Sequence, residues 1–164
     1  MELFSDWMGG SGGGQAVGRY AHYLGGITWI GLLYFFNFIQ GAAFGEMSDG
    51  ARGEALRKIT WRTLWWFRWA ALFTFLTGLI MLWWVSSQQR FNLGIALGAF
   101  MGTLMMLNVW GIIWPNQKIM IGLTEGDKTV AGPKATLASR TNTLLSLPML
   151  YFMVASVHGP LASG

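Results

Sequence analysis

Leu64 to Val85 reads LWWFRWAALFTFLTGLIMLWWV, an apolar run with one charge, Arg68, and tryptophans at both ends. Trp66 and Trp83 are seventeen positions apart, and at 1.5 Å per helical residue that is about 26 Å, close to the thickness of a bilayer's hydrocarbon layer. Such a run, bracketed by indoles, reads as a membrane-crossing helix. Working outward, Tyr20 to Gln40, Leu93 to Trp114 and Thr143 to His158 are further apolar blocks, the last short and beginning as early as residue 141. The expected fold is all-α, an integral membrane four-helix bundle with spans at about 20–40, 64–85, 93–114 and 141–158. It occupies residues 19–160, between a flexible Gly-rich lead-in at 1–18 and a tail at 161–164, and leaves no room for a second domain.

Composition agrees with this reading. Of 164 residues, 53% are hydrophobic and 11% charged, and the apolar residues form long blocks where a soluble core would show period-two or three-to-four alternation. There is no cysteine, which excludes disulfides, thiolate metal sites and a c-type haem attached to this chain. Any redox group is therefore held noncovalently. The first residues lack the basic start and apolar centre of a cleavable signal peptide, and Gly9 to Gly14 is no phosphate loop, since no Lys-Ser/Thr follows it.

The net charge of +4 encodes topology, and no nucleic acid partner is expected. Arg52, Arg57, Lys58 and Arg62 fall between spans one and two, and Lys118, Lys128, Lys134 and Arg140 between spans three and four, whereas the opposite side has only Arg19 and Arg90. By the positive-inside rule both basic loops are cytoplasmic, so the chain is N-out and C-out. Most of the tryptophans read as an interfacial belt. Gly94, Gly98 and Gly102, at four-residue intervals in span three, leave a bare face on which another helix, a partner subunit or a second copy would pack. Pro148 is expected to kink span four, with Ser146 helping to satisfy the freed backbone.

The two histidines, His22 and His158, fall near the start of span one and the end of span four, so this topology brings both to the outer face at similar depth. Gly25 and Gly26 lie one turn below His22 and Ala155 one turn below His158, which would leave space beside each ring. Histidines on facing helices of a four-helix bundle form a cradle for haem b, with imidazole nitrogens as axial ligands of the iron. The competing reading places His158 in the headgroup layer and gives His22 an ordinary interhelical hydrogen bond. On the inner half, Arg68, Asn108, Asn116, Arg140 and Asn142, with Asn37 and Gln117, form a polar cluster. Arg68 has no acidic residue in any span to neutralise it, so it snorkels, pairs with amides or carbonyls, or meets an anionic ligand. A polar-substrate pocket and ordinary interhelical bonding both account for the cluster. No acid pair, His cluster or hydrolase motif points to other chemistry.

Three segments, RYAHYLGGITWIG (Arg19 to Gly31), GTLMMLNVWGIIWPNQKIM (Gly102 to Met120) and SRTNTLLSLPMLYFMVASVH (Ser139 to His158), together resemble the membrane domain of PuuD-type urate hydroxylases. That bacterial family couples a haem-associated membrane domain to a cytochrome c domain. The family's His-x6-Trp-Ile-Gly pattern matches His22, Trp29, Ile30 and Gly31. Its Asn and Pro of a later span match Asn108 and Pro115, and its Asn-Thr, Leu-Pro and terminal His match Asn142, Thr143, Leu147, Pro148 and His158. The resemblance implies a multi-pass protein of the bacterial inner (cytoplasmic) membrane, a haem-dependent oxidoreductase or electron-transfer subunit that delivers electrons to a periplasmic cytochrome c. Two departures stand against it: family members have about twice as many spans, and no Cys-x-x-Cys-His occurs here. Two other readings compete, a protoporphyrinogen oxidase of the HemJ type and a noncatalytic membrane subunit of a larger complex.

Overall fold

The computed structural model describes residues 13–158, and every regular element among them is a helix. There are four: α1 (Gly13–Glu46), α2 (Asp49–Ser87), α3 (Leu93–Met120) and α4 (Lys128–His158). The first three are long and apolar enough to cross a membrane. At 34, 39 and 28 residues they run about 40 to 60 Å, longer than the roughly 30 Å hydrocarbon layer. Hydropathy marks the stretch that lipid would touch, and the helices continue past it into charged turns. α1 already begins at Gly13, within the stretch expected to be a lead-in; residues 1–12 of that stretch and the tail at 161–164 lie outside the described residues.

α1 packs chiefly on α2 and α3 chiefly on α4. On α1 the seam toward α2 is the stripe Gly18, His22, Gly25, Trp29 and Leu33, spaced as a helix face requires. Glycine sets how closely the two helices approach: a Cβ at Gly25 would lie 2.6 Å from Thr74 Oγ1, and one at Gly18 would lie 2.5 Å from the Trp84 ring. The space expected beside Gly25 is thus filled by α2. On α3, Gly98 packs against Met153 of α4, with a Cβ there 3.2 Å from the thioether, whereas Gly102 has no neighbour within 4 Å. Part of the glycine stripe is therefore used within the chain.

The two hairpins share one core, formed by Trp29, Ile30 and Leu33 of α1, Phe67, Ala70 and Ala71 of α2, Met105, Met106, Val109 and Ile113 of α3, and Ala138 and Met149 of α4. This core occupies the middle and one end of the bundle. Toward the other end, outward of Trp29 and Met149, it has no further members. Trp29 is 2% exposed, so it belongs to this core and not to an interfacial belt.

α4 exposes leucine and valine, mostly along its second half, and buries asparagine and serine among alanines. Leu137, Leu144, Leu147, Val154 and Val157 are exposed, while Asn142 and Ser146 have no exposed surface. In water that arrangement would strand the leucines, so the exposed face suits lipid. Interhelical hydrogen bonds hold the polar stripe in place: Asn37 Nδ2 donates to Ser139 Oγ at 2.8 Å, and the Tyr34 hydroxyl lies 2.8 Å from Ser146 Oγ. α4 runs unbroken through Pro148, and Ser146 Oγ donates to the Thr143 carbonyl, one residue short of the Leu144 carbonyl that a proline at 148 leaves without its helical donor.

Short π-helical turns interrupt α1 at Phe35–Gln40, α2 at Leu56–Thr60 and α3 at Val109–Ile113. All three lie on the half of the bundle away from His22. Such turns widen the helix and free backbone groups for side-chain partners. Asn37, in the first, donates to the Leu33 carbonyl as well as to Ser139.

Candidate functional site

His22 lies on the α1 seam against Gly78 of α2, where a Cβ would be 3.1 Å from the ring's Cε1. Its Nδ1 is 3.0 Å from the Thr74 carbonyl oxygen and 3.3 Å from Thr77 Oγ1. The Thr77 hydroxyl spends its own proton on the Phe73 and Thr74 carbonyls, so both atoms facing Nδ1 are acceptors. Nδ1 must therefore carry a proton and donate. In the neutral ring this leaves Nε2 with a bare lone pair, and among the described residues Nε2 has no hydrogen-bond partner. An imidazole pinned through Nδ1–H to a carbonyl, with Nε2 free, is the usual form of a metal-ligating histidine. His22 Nε2 would thus be available to a metal-bearing group.

His158 is exposed at the end of α4. Two residues earlier, the Ser156 carbonyl accepts from Asn92 Nδ2 at 3.1 Å, and Asn92 Oδ1 in turn caps α3 by accepting from the Ile95 amide. The last turn of α4 is therefore fastened beside the first turn of α3. His22 lies near the end of α2 that leads into α3, so both histidines are at one end of the bundle. They belong to different hairpins, and no described contact joins them. Among the described residues no cluster of three or more His, Asp or Glu side chains is placed to hold a bare metal ion.

The inner-half residues divide into three arrangements. Asn108 Nδ2 donates to Asn142 Oδ1 at 3.0 Å, and Asn142 Nδ2 donates to the Met105 carbonyl at 2.9 Å, so these two amides clasp α3 to α4. Asn116 donates to the Ile112 carbonyl of its own helix, and Arg140 is exposed. Arg68 lies with its guanidinium carbon 3.8 Å from the Trp114 ring centroid and 5.9 Å from that of Trp69, a cation–π arrangement. Its Nε and Nη1 are buried without a hydrogen-bond partner, as are the indole nitrogens of Trp29 and Trp110. All four are donors. The buried side-chain atoms without partners among the described residues are therefore all N–H donors, a chemistry that suits an anionic or carbonyl-rich guest. Trp69 packs on Trp110 at 5.5 Å between centroids, which extends the aromatic wall around Arg68 across α2 and α3.

Sequence reasoning named His22 but missed its partners Thr74, Thr77 and Gly78. The signal was present: a glycine four residues after a threonine, within an otherwise bulky helix, marks a place where something lies on the backbone.

The family model described as urate oxidase N-terminal matches residues 88–164, just under half of the chain. The matched stretch contains α3 and α4, with Asn108, Pro115, Asn142, Pro148 and His158; His22 and Arg68 lie before it. No curated protein matches the chain, and no solved structure does.

Proposed function

We propose that this chain is a membrane-embedded, urate-hydroxylase-like oxidoreductase or electron-transfer subunit that holds haem b at one end of a four-span bundle and passes electrons to a cytochrome c. The observation that carries the reading is the match of residues 88–164 to the urate oxidase N-terminal family. The tautomer of His22 agrees with it. In this reading the N- and C-terminal ends face the periplasm, the turns at 47–48 and 121–127 face the cytoplasm, and the membrane is the bacterial inner membrane. The basic residues gather at the second of these ends.

His22, through Nε2, and His158 are the residues that would hold the haem. When bound, that group would supply one-electron exchange between a two-electron donor and a cytochrome. Arg68, with the Trp110 and Trp29 N–H groups, supplies donors to an anionic, carbonyl-bearing substrate. Asn108 and Asn142 fix the helices between which it enters, and Asn116 and Arg140 line the approach from the inner side. Gly102 and the exposed apolar surface remain for a partner subunit or a second copy.

The test is the spectrum of the full chain purified in mild detergent, oxidised and then dithionite-reduced. A Soret band that is lost in His22→Ala and kept in Lys128→Ala is the expected result, with urate-dependent reduction of the band as the second stage. A colourless preparation from haem-replete cells would refute the haem assignment and leave the chain as a noncatalytic membrane subunit.

A further inference from the structure

We infer that Gly78 and Thr77 of α2 are positioning residues: together they hold His22 in the Nδ1–H tautomer and so make its Nε2 a ligand for a Lewis-acidic centre. The inference rests on the proposed haem site for its purpose, though not for its geometry.

An imidazole has two tautomers of similar energy, and in a membrane segment a free ring would exchange between them according to whichever partner it met. Here the choice is removed by the backbone of α2. A side chain reaches a helical carbonyl from the side only where the following turn leaves an opening. Gly78 is that opening, four residues beyond Thr74, with the ring's Cε1 where a β-carbon would crowd it. Through it Nδ1 reaches the Thr74 carbonyl oxygen at 3.0 Å.

Thr77 closes the arrangement. A hydroxyl accepts or donates as its surroundings dictate, and this one is committed as a donor to the Phe73 and Thr74 carbonyls at 2.8 and 3.0 Å. Its oxygen therefore presents lone pairs to Nδ1 at 3.3 Å, and an unprotonated Nδ1 would face two acceptors. Thr74 is committed in the same way, its own hydroxyl donating to the Ala70 carbonyl at 2.7 Å. A second consequence concerns basicity: a ring whose Nδ1–H is donated to a carbonyl is a stronger Nε2 donor, which stabilises the more oxidised metal. The same geometry limits what His22 can do. Nε2 accepts a proton or a metal, and the ring cannot donate a hydrogen bond from Nε2 while neutral.

The deciding experiment is the 15N spectrum of the full chain, labelled at histidine, dithionite-reduced and held in lipid nanodiscs. The His22 signals are assigned by their loss in His22→Ala. We expect a protonated Nδ1 and an unprotonated Nε2 in the wild type and in Thr77→Ser, an Nδ1 resonance moved toward a weaker hydrogen bond in Thr77→Val, where the Thr74 carbonyl alone still faces it, and mixed tautomers in Gly78→Val. If Gly78→Val fails to fold, the Thr77→Val and Thr77→Ser pair still decides. A wild-type proton on Nε2, or an Nδ1 resonance in Thr77→Val that does not move from the wild-type position, overturns the inference. With haem bound, the midpoint potential should rise in Thr77→Val and stay put in Thr77→Ser. An intact tautomer in a colourless protein would instead leave this inference standing and remove the haem.

Discussion

Asn142 has no exposed surface, and both ends of its amide are used, the oxygen by Asn108 and the nitrogen by the Met105 carbonyl. Between membrane helices the apolar contacts that drive folding in water are matched by lipid, so bonds of this kind take a larger share of the specificity. In Asn142→Ala the Met105 carbonyl loses its side-chain donor, Asn108 loses its acceptor, and a small void opens. The expected cost is about 1 to 3 kcal/mol, read as a lower melting temperature in detergent, whereas Asn116→Ala, which removes a bond within one helix, should cost no more than about 0.5 kcal/mol. If the two variants melt alike, the α3–α4 clasp is not a principal contact. The same amide marks how far single residues could be read in the sequence. Asn108 and Asn142 stood out as polar groups at similar depth, but an amide's role depends on its partner, and one facing another amide clasps helices where one facing a void binds a guest. Arg68 was equally visible, but its cation–π partner Trp114 sits on another helix, a pairing that no local pattern encodes.

At the scale of the element, α4 starts at a cap that responds to acid. Asp127 accepts from the Thr129 hydroxyl and amide through one carboxylate oxygen, at 2.6 and 2.8 Å. These bonds, the hydroxyl's first, hold its carboxyl below the usual carboxylate pKa. Because the folded value is the lower one, the stabilisation is complete above the ordinary value near 4 and is lost as pH falls through the depressed one. Titration should therefore shift the Thr129 amide resonance only well into the acid range. Asp127→Asn, which cannot ionise, should abolish that shift while still capping the helix; an unaltered titration in the variant would remove Asp127 as its source. Helix identity was legible from the apolar blocks, and helix ends were not: caps such as Asp127 and Asn92 lie in polar turns that hydropathy does not resolve. The π-turns escaped for a related reason. One extra residue in a turn leaves composition unchanged and shows only when a side chain such as Asn37 is found bonded to its own helix and its neighbour together.

For the whole molecule, the decisive quantity is the number of crossings. α4 carries too much serine, threonine and asparagine to stand out as a membrane helix by hydropathy, and among the described residues three helices meet that criterion. Its Asn142, Ser146 and Ser156, however, are buried against the bundle, and Leu137, Leu144, Leu147, Val154 and Val157 face outward. α4 is also tied along its length to a helix that does qualify. Asn108 of α3 meets Asn142 at mid-length, and Asn92, at the first turn of α3, holds the Ser156 carbonyl in the last turn of α4. If α3 crosses the bilayer, a helix bonded to both its middle and its starting end would travel as far through the bilayer as it does. The expected outcome is four crossings, with tags on the first and last residues both reporting the periplasm and a tag in the 121–127 turn reporting the cytoplasm. The basic residues Lys118, Lys128 and Lys134 beside that turn should set the orientation, and replacing all three with glutamine should weaken it. A C-terminal tag found in the cytoplasm while the N-terminal tag is periplasmic would mean that α4 does not cross. His22 and His158 would then lie on opposite sides of the hydrocarbon layer, about 30 Å apart, too far for one porphyrin to join, and a haem held by His22 would need its second ligand from another chain.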